Sequence, residues 1–363
     1  MMTLLEVDIP QERSQRTYDP LTTPYEVDRV PFPSTGSWND RLRHVVRYAI
    51  LAPSSHNAQP WKFRLTENGI AVFADYSRRL PVSDPDNREL LMSIGAAIMN
   101  LRIAAQHFGF NVRVEYNLSD DSELPVAFVH LDAEGAGKPT DPTLEKLFPM
   151  ITKRHTNRKS FLFARVPEAV LGRLADAVQS SGVRLYLSTD PTKNAQVAHL
   201  VAEAERILQA NQEYRKELSE WMRPNATQRT DGMTGAAFGV GDLPSMVMPW
   251  AVKTLDLGGF QARRDERLCM EAPALGVLYS EDGISSWLAV GETLERVLLT
   301  IIREGLQYSF FNMPIELPDV RLQLRRLLNL DMCPQLLLRI GYSLEQPAAS
   351  PRRPVEECII SEA

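Results

Sequence analysis

The chain has 363 residues, 44% of them hydrophobic, the balance of a soluble globular protein with room for one large or two smaller domains. Its net charge of −6 disfavours nucleic acid and anionic membranes, and no run reaches the ~18 consecutive apolar residues that a spanning helix needs. The three cysteines, Cys269, Cys333 and Cys358, lie far apart without a C-x-x-C, which fits a reducing cytoplasm and excludes a disulfide framework or zinc site.

In chain order, residues 1–38 are rich in proline and charge, carry early acids and no apolar core, and read as an extended arm rather than a secretory leader. "WNDRLRHVVRYAIL" has apolar residues at helical spacing and runs into Pro53. "WKFRL" and "IAVFAD" read as a hairpin turning at Glu67-Asn68-Gly69. A helix follows, opening on Asp84 or Asp86 as caps and stopping near Gly109, then strands in "VRVEYNL" and "PVAFVHLD". The loop "AEGAGKPTD" (133–141) is the best boundary, dividing a first lobe, 39–140, from a second, 141–363.

The second lobe begins with a helix expected over 142–153 and a basic cluster at 153–159. "VPEAVLGRLADAVQSS" reads as a helix, "GVRLYLST" as a strand and "NAQVAHLVAEAERILQAN" as a further helix. Residues 209–250 read as a long irregular insertion, the kind of segment that serves as a lid or as surface decoration. "AVGETLERVLLTIIREGLQYSFFNMP" is helix, glycine, strand, and "QLLLRIGYS" a last strand. Gly95 and Gly109 are spaced 14 residues apart, as are Gly291 and Gly305, each pair bracketing a helix. Both "RHVVRYAILAPSS…WKFRL" and "GRLADAVQSSGVRLYL" run helix, Ser-Ser, strand, so the chain reads as a duplication.

Three polar clusters stand out. "APSSHNAQPW" packs Ser54, Ser55, His56, Asn57 and Gln59 between Pro53 and Trp61. "KRHTNRK" offers Arg154, Thr156 and Arg158 at alternate positions, suited to a phosphate and a second electronegative point. "SPRRPVEE" presents Arg352 and Arg353 between prolines. Singly these read as a capped loop, a solvated basic helix end and a charged tail. Together they suit a ligand with a phosphate, a polyol and a flat heterocycle, as in FMN. Neither G-x-G-x-x-G after a strand, nor G-x-x-x-x-G-K-[ST], nor G-x-S-x-G occurs, and the six histidines have no metal-ligand spacing.

On these residues the chain resembles the FMN-dependent nitroreductase superfamily, and within it the Acg-type fused, two-lobed proteins. "APSSHNAQPW" is similar to the family's P-S-x-x-N-x-Q-P-W motif, "RHTNR" to its R-x-S-x-R motif with Thr156 at the serine, and "GYS…PRRPVEE" to its C-terminal signature. The resemblance implies an α+β fold, a three-layer αβα sandwich in two tandem lobes forming an intramolecular pseudo-dimer. It implies Arg154, Thr156, Arg352 and, less directly, Arg353 at the FMN phosphate or ribityl end, with Arg158 at the N1/O2 side of the ring. His155 would contribute backbone, and Pro53, Ser54, Ser55 and Asn57 would come from the other lobe. The stretch Met313-Pro314-Ile315-Glu316 is similar to the one whose backbone N–H faces flavin N5. Ordinary members carry the arginine motif before the serine motif and share FMN across a homodimer. Here Arg154 follows Ser54 by 100 residues, so each lobe holds one half-site and one FMN per chain is expected.

The resemblance further implies hydride transfer from NAD(P)H to FMN and on to a small-molecule electron acceptor such as a nitroaromatic or quinone, without a catalytic side chain or metal. The alternative is an FMN-holding protein whose lid occludes the flavin. The expected state is a monomeric pseudo-dimer, further homodimerisation being left open, located in the cytoplasm, with no nucleic-acid or membrane partner.

Overall fold

A computed structural model of the chain describes residues 18–119, 121, 123–132, 141–180 and 182–361. The expected boundary loop, apart from Asp141, lies outside these residues, as do positions 1–17 of the arm and Ser181 of the second Ser-Ser pair. Among the described residues no helix is long and apolar enough to cross a membrane.

Helix α1 (Trp38–Ala49) opens with a capping box: the Ser37 hydroxyl accepts from the Asp40 N–H while the Asp40 carboxylate takes the Ser37 N–H. Strands β1 (Trp61–Thr66) and β2 (Gly69–Ala74) form the expected hairpin, paired from Trp61 with Ala74 to Thr66 with Gly69. Helix α2 (Arg88–His107) is capped by Asp84, whose carboxylate accepts the N–H groups of Glu89 (3.0 Å) and Leu90 (2.9 Å). Asn87, with a left-handed backbone, occupies the cap position itself. Strands β3 (Asn111–Tyr116) and β4 (Ala127–Asp132) complete an antiparallel sheet of order β1-β2-β4-β3.

The second half starts with α3 (Pro142–Glu145) and a 3₁₀ turn at Phe148–Met150. The helix expected over 142–153 is thus broken, because Pro149 lacks an N–H and its ring obstructs the preceding turn. Helix α4 (Glu168–Asp176), strand β5 (Val183–Ser188) and α5 (Pro191–Ala210) follow as expected. The stretch read as irregular is largely helical: α6 (Gln212–Trp221), a two-residue parallel pair β6 (Met222–Arg223) and β7 (Met233–Thr234), then α7 (Asp242–Thr254). Beyond it come α8 (Gly258–Met270), β8 (Ala274–Ser280), α9 (Ile284–Arg303), β9 (Gln307–Phe310), α10 (Met313–Glu316), α11 (Pro318–Leu327), β10 (Cys333–Gly341) and α12 (Val355–Cys358). The second sheet, also antiparallel, has the order β5-β8-β10-β9.

The two sheets share one plan. Reading β1, β2, β3, β4 as β5, β8, β9, β10 turns one strand order into the other, with α2 and α9 at equivalent places. The difference is the connection between the first two strands: Glu67-Asn68 in one half, and everything from α5 to α8 in the other. Alternation along β10 feeds two cores, with Leu336, Leu338 and Ile340 packing towards α4 and α9 and Leu337 towards α5, α8 and α11.

Helices α2 and α9 form the layer between the sheets and pack on each other more extensively than any other pair of elements. They cross where Gly95 meets Gly291. A methyl built on Gly291 would lie 2.0 Å from the Met92 carbonyl oxygen, and one on Gly95 would lie 2.2 Å from that of Leu288. The helices exchange side chains there: Met92 joins the core of the second half, and Leu288 and Leu299 join that of the first. Each helix ends on a glycine with a left-handed backbone, Gly109 (φ 87°) and Gly305 (φ 74°), as the duplicated spacing anticipates.

Candidate functional site

A cavity of about 600 Å³ opens where the two halves meet, within the usual range for small-molecule sites. Of the residues singled out in the sequence, Pro53, Ser54, Ser55, Asn57, Arg154, His155, Thr156, Arg158, Glu316 and Arg352 line it. Pro314 and Arg353 do not. Pro314 is buried in α10, and Arg353 is turned the other way, its guanidinium donating to the Gln59 and Glu357 carbonyls.

The loop 53–61 owes its shape to three closely spaced demands on the backbone. His56, Asn57 and Gln59 all adopt left-handed φ angles, 51°, 55° and 53°, uncommon for residues with a side chain and maintained only where surroundings enforce them. The enforcement comes from Asn57. Its amide donates to the carbonyls of Gly232 (2.9 Å) and Pro351 (2.8 Å), and its oxygen accepts from Arg352 Nη1 (2.7 Å). Gln59 repeats the pattern, donating to Thr230 O (2.8 Å) and accepting the Arg353 N–H (2.9 Å). These two amides bind the chain's own distant segments, while Asn57 also lines the cavity. The Ser55 hydroxyl donates to Glu89, and Ser54 Oγ accepts the Gln59 N–H, which leaves its own proton to give.

Arg154 is almost fully buried, at 2% exposure, and is engaged from behind. It donates to Tyr308 Oη (2.6 Å) and the Leu51 carbonyl (2.7 Å), and its Nε lies 3.3 Å from Glu295. Burial opposes its charge, but Tyr308 and Glu295 outweigh that and hold its pKa raised. Arg352 donates to the Leu51 and Ala52 carbonyls as well as to Asn57, and its buried Nε has no partner. Burial, then the charges of Arg154 and Arg352, push the His155 pKa down to about 3, so its imidazole is neutral. His56 is pushed down to about 4, first by burial, and its buried Nε2 is likewise unpartnered.

Two further features frame this rim. The described part of the N-terminal arm contains a 3₁₀ turn, Thr23–Arg29, and clasps the tail: Tyr18 and Tyr25 donate to the carbonyls of Arg352 (2.6 Å) and Ser350 (2.8 Å). The roof comes from the long connection between β5 and β8, which contributes Tyr214, Met222, Met233, Phe238, Met248 and Val252. It is fastened to the first half by Asn57 and Gln59 and by Asp231, which accepts from Arg78 (3.2 Å) and Arg223 (2.9 Å).

Opposite the basic rim lies a set of buried acids. Burial and then neighbouring carboxylates, Glu89 first, raise Glu316 well above the ordinary range, and its buried Oε2 has no partner. Burial raises Glu205 to about 7, with Asp265 adding to the effect. The backbone N–H groups of Ile315 and Glu316 are spent on the Asn312 carbonyl, at 2.7 and 3.1 Å. Of α10, Met313 and Glu316 line the cavity. No group of His, Cys, Asp and Glu residues suited to a metal ion occurs among the described residues.

No family model matches the chain. Two proteins of Mycobacterium tuberculosis (strain ATCC 25618 / H37Rv), assigned by name as NAD(P)H nitroreductases, are similar along nearly their full length. Rv3131 is 27% identical over 331 residues, covering 88% of this chain and 91% of the relative. Acg is 26% identical over 329 residues, covering 90% and 97%. PigM of Serratia sp. (strain ATCC 39006), also named a NAD(P)H nitroreductase, is 22% identical over 343 residues, covering 87% and 92%. Among solved structures, the FMN- and NADPH-dependent nitroreductase NfnB of a Sphingopyxis-type strain, HMH, overlays with a TM-score of 0.41 at 19% identity, covering 60% of this chain and 99% of that one. NfnB of Mycobacterium smegmatis overlays with a TM-score of 0.38 at 17% identity, covering 59% and 96%. Overlays this weak carry nothing further; it is by sequence, along some nine-tenths of its length, that this chain is similar to the Acg-type nitroreductase-like proteins.

Proposed function

We propose that this chain is an FMN-dependent NAD(P)H oxidoreductase of nitroreductase type, a fused pair of lobes holding one flavin. The observation that supports it most is the meeting of the serine loop, the basic run and the arginine tail at a single cavity. The equal strand orders of the two sheets support the fused-pair reading: the halves stand as two subunits would, each supplying what the other lacks. FMN suits the donor set on chemical grounds. A buried N–H of Arg352 and a buried ring nitrogen of His56 lack partners. Arg158 has no carboxylate within ion-pair distance among the described residues.

In this reading Arg154, Thr156 and Arg352 hold the phosphate and ribityl end, and Arg158 supplies positive charge at the electron-rich edge of the ring. Pro53, Ser54 and Ser55 bound the ring from the first half, Asn57 shapes that loop, and Glu316 keeps a proton on its carboxyl facing the cavity. Bound FMN would accept hydride from a reduced nicotinamide and deliver electrons to a small acceptor. The roof excludes water, which strengthens every charge interaction beneath it.

A second reading draws on the roof itself. The connection from α6 to α7 acts as a lid, and its fastening through Gly232, Thr230 and Asp231 would keep nicotinamide from stacking on the ring, leaving a holder of FMN with little turnover. One anaerobic experiment separates the two. The purified yellow protein is mixed with NADPH or NADH: rapid bleaching supports the reductase, and bleaching by dithionite alone supports the holder. A colourless protein that cannot be reconstituted with FMN would refute both.

A further inference from the structure

Three arginines from distant parts of the chain line one wall of the cavity: Arg158 at the end of the basic run, Arg264 on α8 and Arg339 on β10. Arg339 is 1% exposed. Its Nη2 donates to the Asn157 (3.2 Å) and Lys159 (2.6 Å) carbonyls, and its guanidinium lies 4.0 Å from the Phe161 ring centre and 5.6 Å from that of Phe311. Its Nε and Nη1 are buried without a partner. Among the described residues, Arg158 is met by the Met233 sulfur at 3.8 Å and the Phe238 ring at 4.8 Å and forms no ion pair. Arg264 makes no hydrogen bond or ion pair among the described residues.

Charge does not balance on this wall. Burial pulls both Arg158 and Arg339 down to about 10, and each also feels the positive charge of Arg264. The carboxyl beside them, Asp265, forms no ion pair and is itself pushed up to about 6 by burial. Three cations face Asp265 and the neighbouring Glu205, two carboxyls that burial makes reluctant to ionise, so positive charge is left incompletely compensated in a low-dielectric space, a costly arrangement unless an anion completes it. Phe238, Phe260 and Phe311 line the same space, so the complementary molecule has an aromatic body and an anionic end.

We infer that Arg264 and Arg339, next to Arg158, bind the carboxylate of a nitro-substituted aromatic acid, the electron acceptor of the proposed reaction, whose nitro group takes two electrons and two protons and loses one oxygen as water. The assignment of the acid as acceptor rests on the oxidoreductase reading; the anion site itself does not. The FMN phosphate has its own partners in the Arg154, Thr156 and Arg352 set, and Arg158 lies at the ring edge, so Arg264 and Arg339 are left for a second ligand.

Arg264 is the residue to change, because it has no protein partner to orphan. Calorimetric titration of the purified protein compares 4-nitrobenzoate with uncharged nitrobenzene. The wild type is expected to prefer the carboxylate by about tenfold or more, the usual worth of one charge-assisted hydrogen bond, and Arg264→Gln to lose that preference. Equal affinity of the wild type for both probes, or an unchanged preference in the variant, would overturn the inference. So would a variant purified without FMN beside a yellow wild type, since the cluster would then serve the flavin. Displacement of 4-nitrobenzoate by equimolar inorganic phosphate would make the wall a phosphate site and also overturn it. A colourless wild type that still prefers 4-nitrobenzoate would remove the flavin reading and leave the anion site standing.

Discussion

Replacing Gly291 with alanine would put a methyl 2.0 Å from the Met92 carbonyl oxygen. Carbon–oxygen contacts of this kind settle at about 3.3–3.6 Å, so α2 and α9 must part by roughly 1 Å or more at their crossing. A gap of that size forfeits about a quarter to a half of the dispersion energy of the side chains it separates. Those side chains include buried Met92, Leu288 and Leu299, which cross from one helix into the other's core. A gross cost of about 3–5 kcal/mol follows, the upper end of what overpacking or lost core contact produces. Alanine returns about 1 kcal/mol by its greater helix propensity, leaving a net loss of ~2–4 kcal/mol. Gly172 in α4 is the internal control, because a methyl there meets no atom within 4 Å. Gly172→Ala should therefore stabilise the protein by about 0.5–1 kcal/mol. Urea denaturation followed by circular dichroism measures both. A Gly291→Ala midpoint at or above that of the wild type would refute the close-crossing argument. Gly95→Ala combined with Gly291→Ala should cost less than the sum of the two, since the helices part only once.

Asn57→Ala strips partners from two carbonyls and a buried guanidinium and forces alanine into a left-handed backbone, a local loss of ~3–5 kcal/mol; limited proteolysis should cut between residues 225 and 235 faster, with cofactor retention falling in step. Arg154→Ala leaves Glu295, 0% exposed, without its cation, so thermal melting should show a loss of ~3–5 kcal/mol whether or not FMN is present, and Arg154→Met with Glu295→Leu should recover most of it. Glu205 holds its proton from its ordinary 4.5 up to about 7 in the folded protein. The native state therefore binds the extra proton between those values, and stability falls as pH rises through them, by at most ~3 kcal/mol; urea midpoints at pH 5 and 8 should differ less in Glu205→Gln than in the wild type.

The duplicated glycines carried much of the fold into the sequence, because a close helix crossing and a left-handed terminus each demand glycine and leave it at a fixed spacing. Strands β1, β2 and β10 announced themselves by composition. Helix α7 did not: Pro244 and Pro249, with Gly239 and Gly241 just before, look like breakers. Pro244 sits in the first turn, where no N–H is required, and Pro249 is accommodated inside the helix. Helix α8 and strand β8 were unread for want of a motif. At the site, residue type was legible and allegiance was not. Asn57, Arg352 and Arg154 do reach the cavity, yet their partners include Gly232, Leu51 and Glu295, contacts made over separations no local pattern records. Arg264 and Arg339 had no motif at all; only the fold brings them to Arg158.

The clamp on the 53–61 loop also sets a timetable. Asn57 is synthesised 294 residues before Pro351, whose carbonyl it binds. At about 5–20 residues per second, translation leaves that loop without its tether for roughly 15–60 s. Through that interval Asn57 and Gln59 have at most their Gly232 and Thr230 contacts to hold the left-handed loop, and the cavity rim stays open on the tail side. Capture of any cofactor in the cavity thus waits on the arrival of residues 351–353, however early the first sheet has folded.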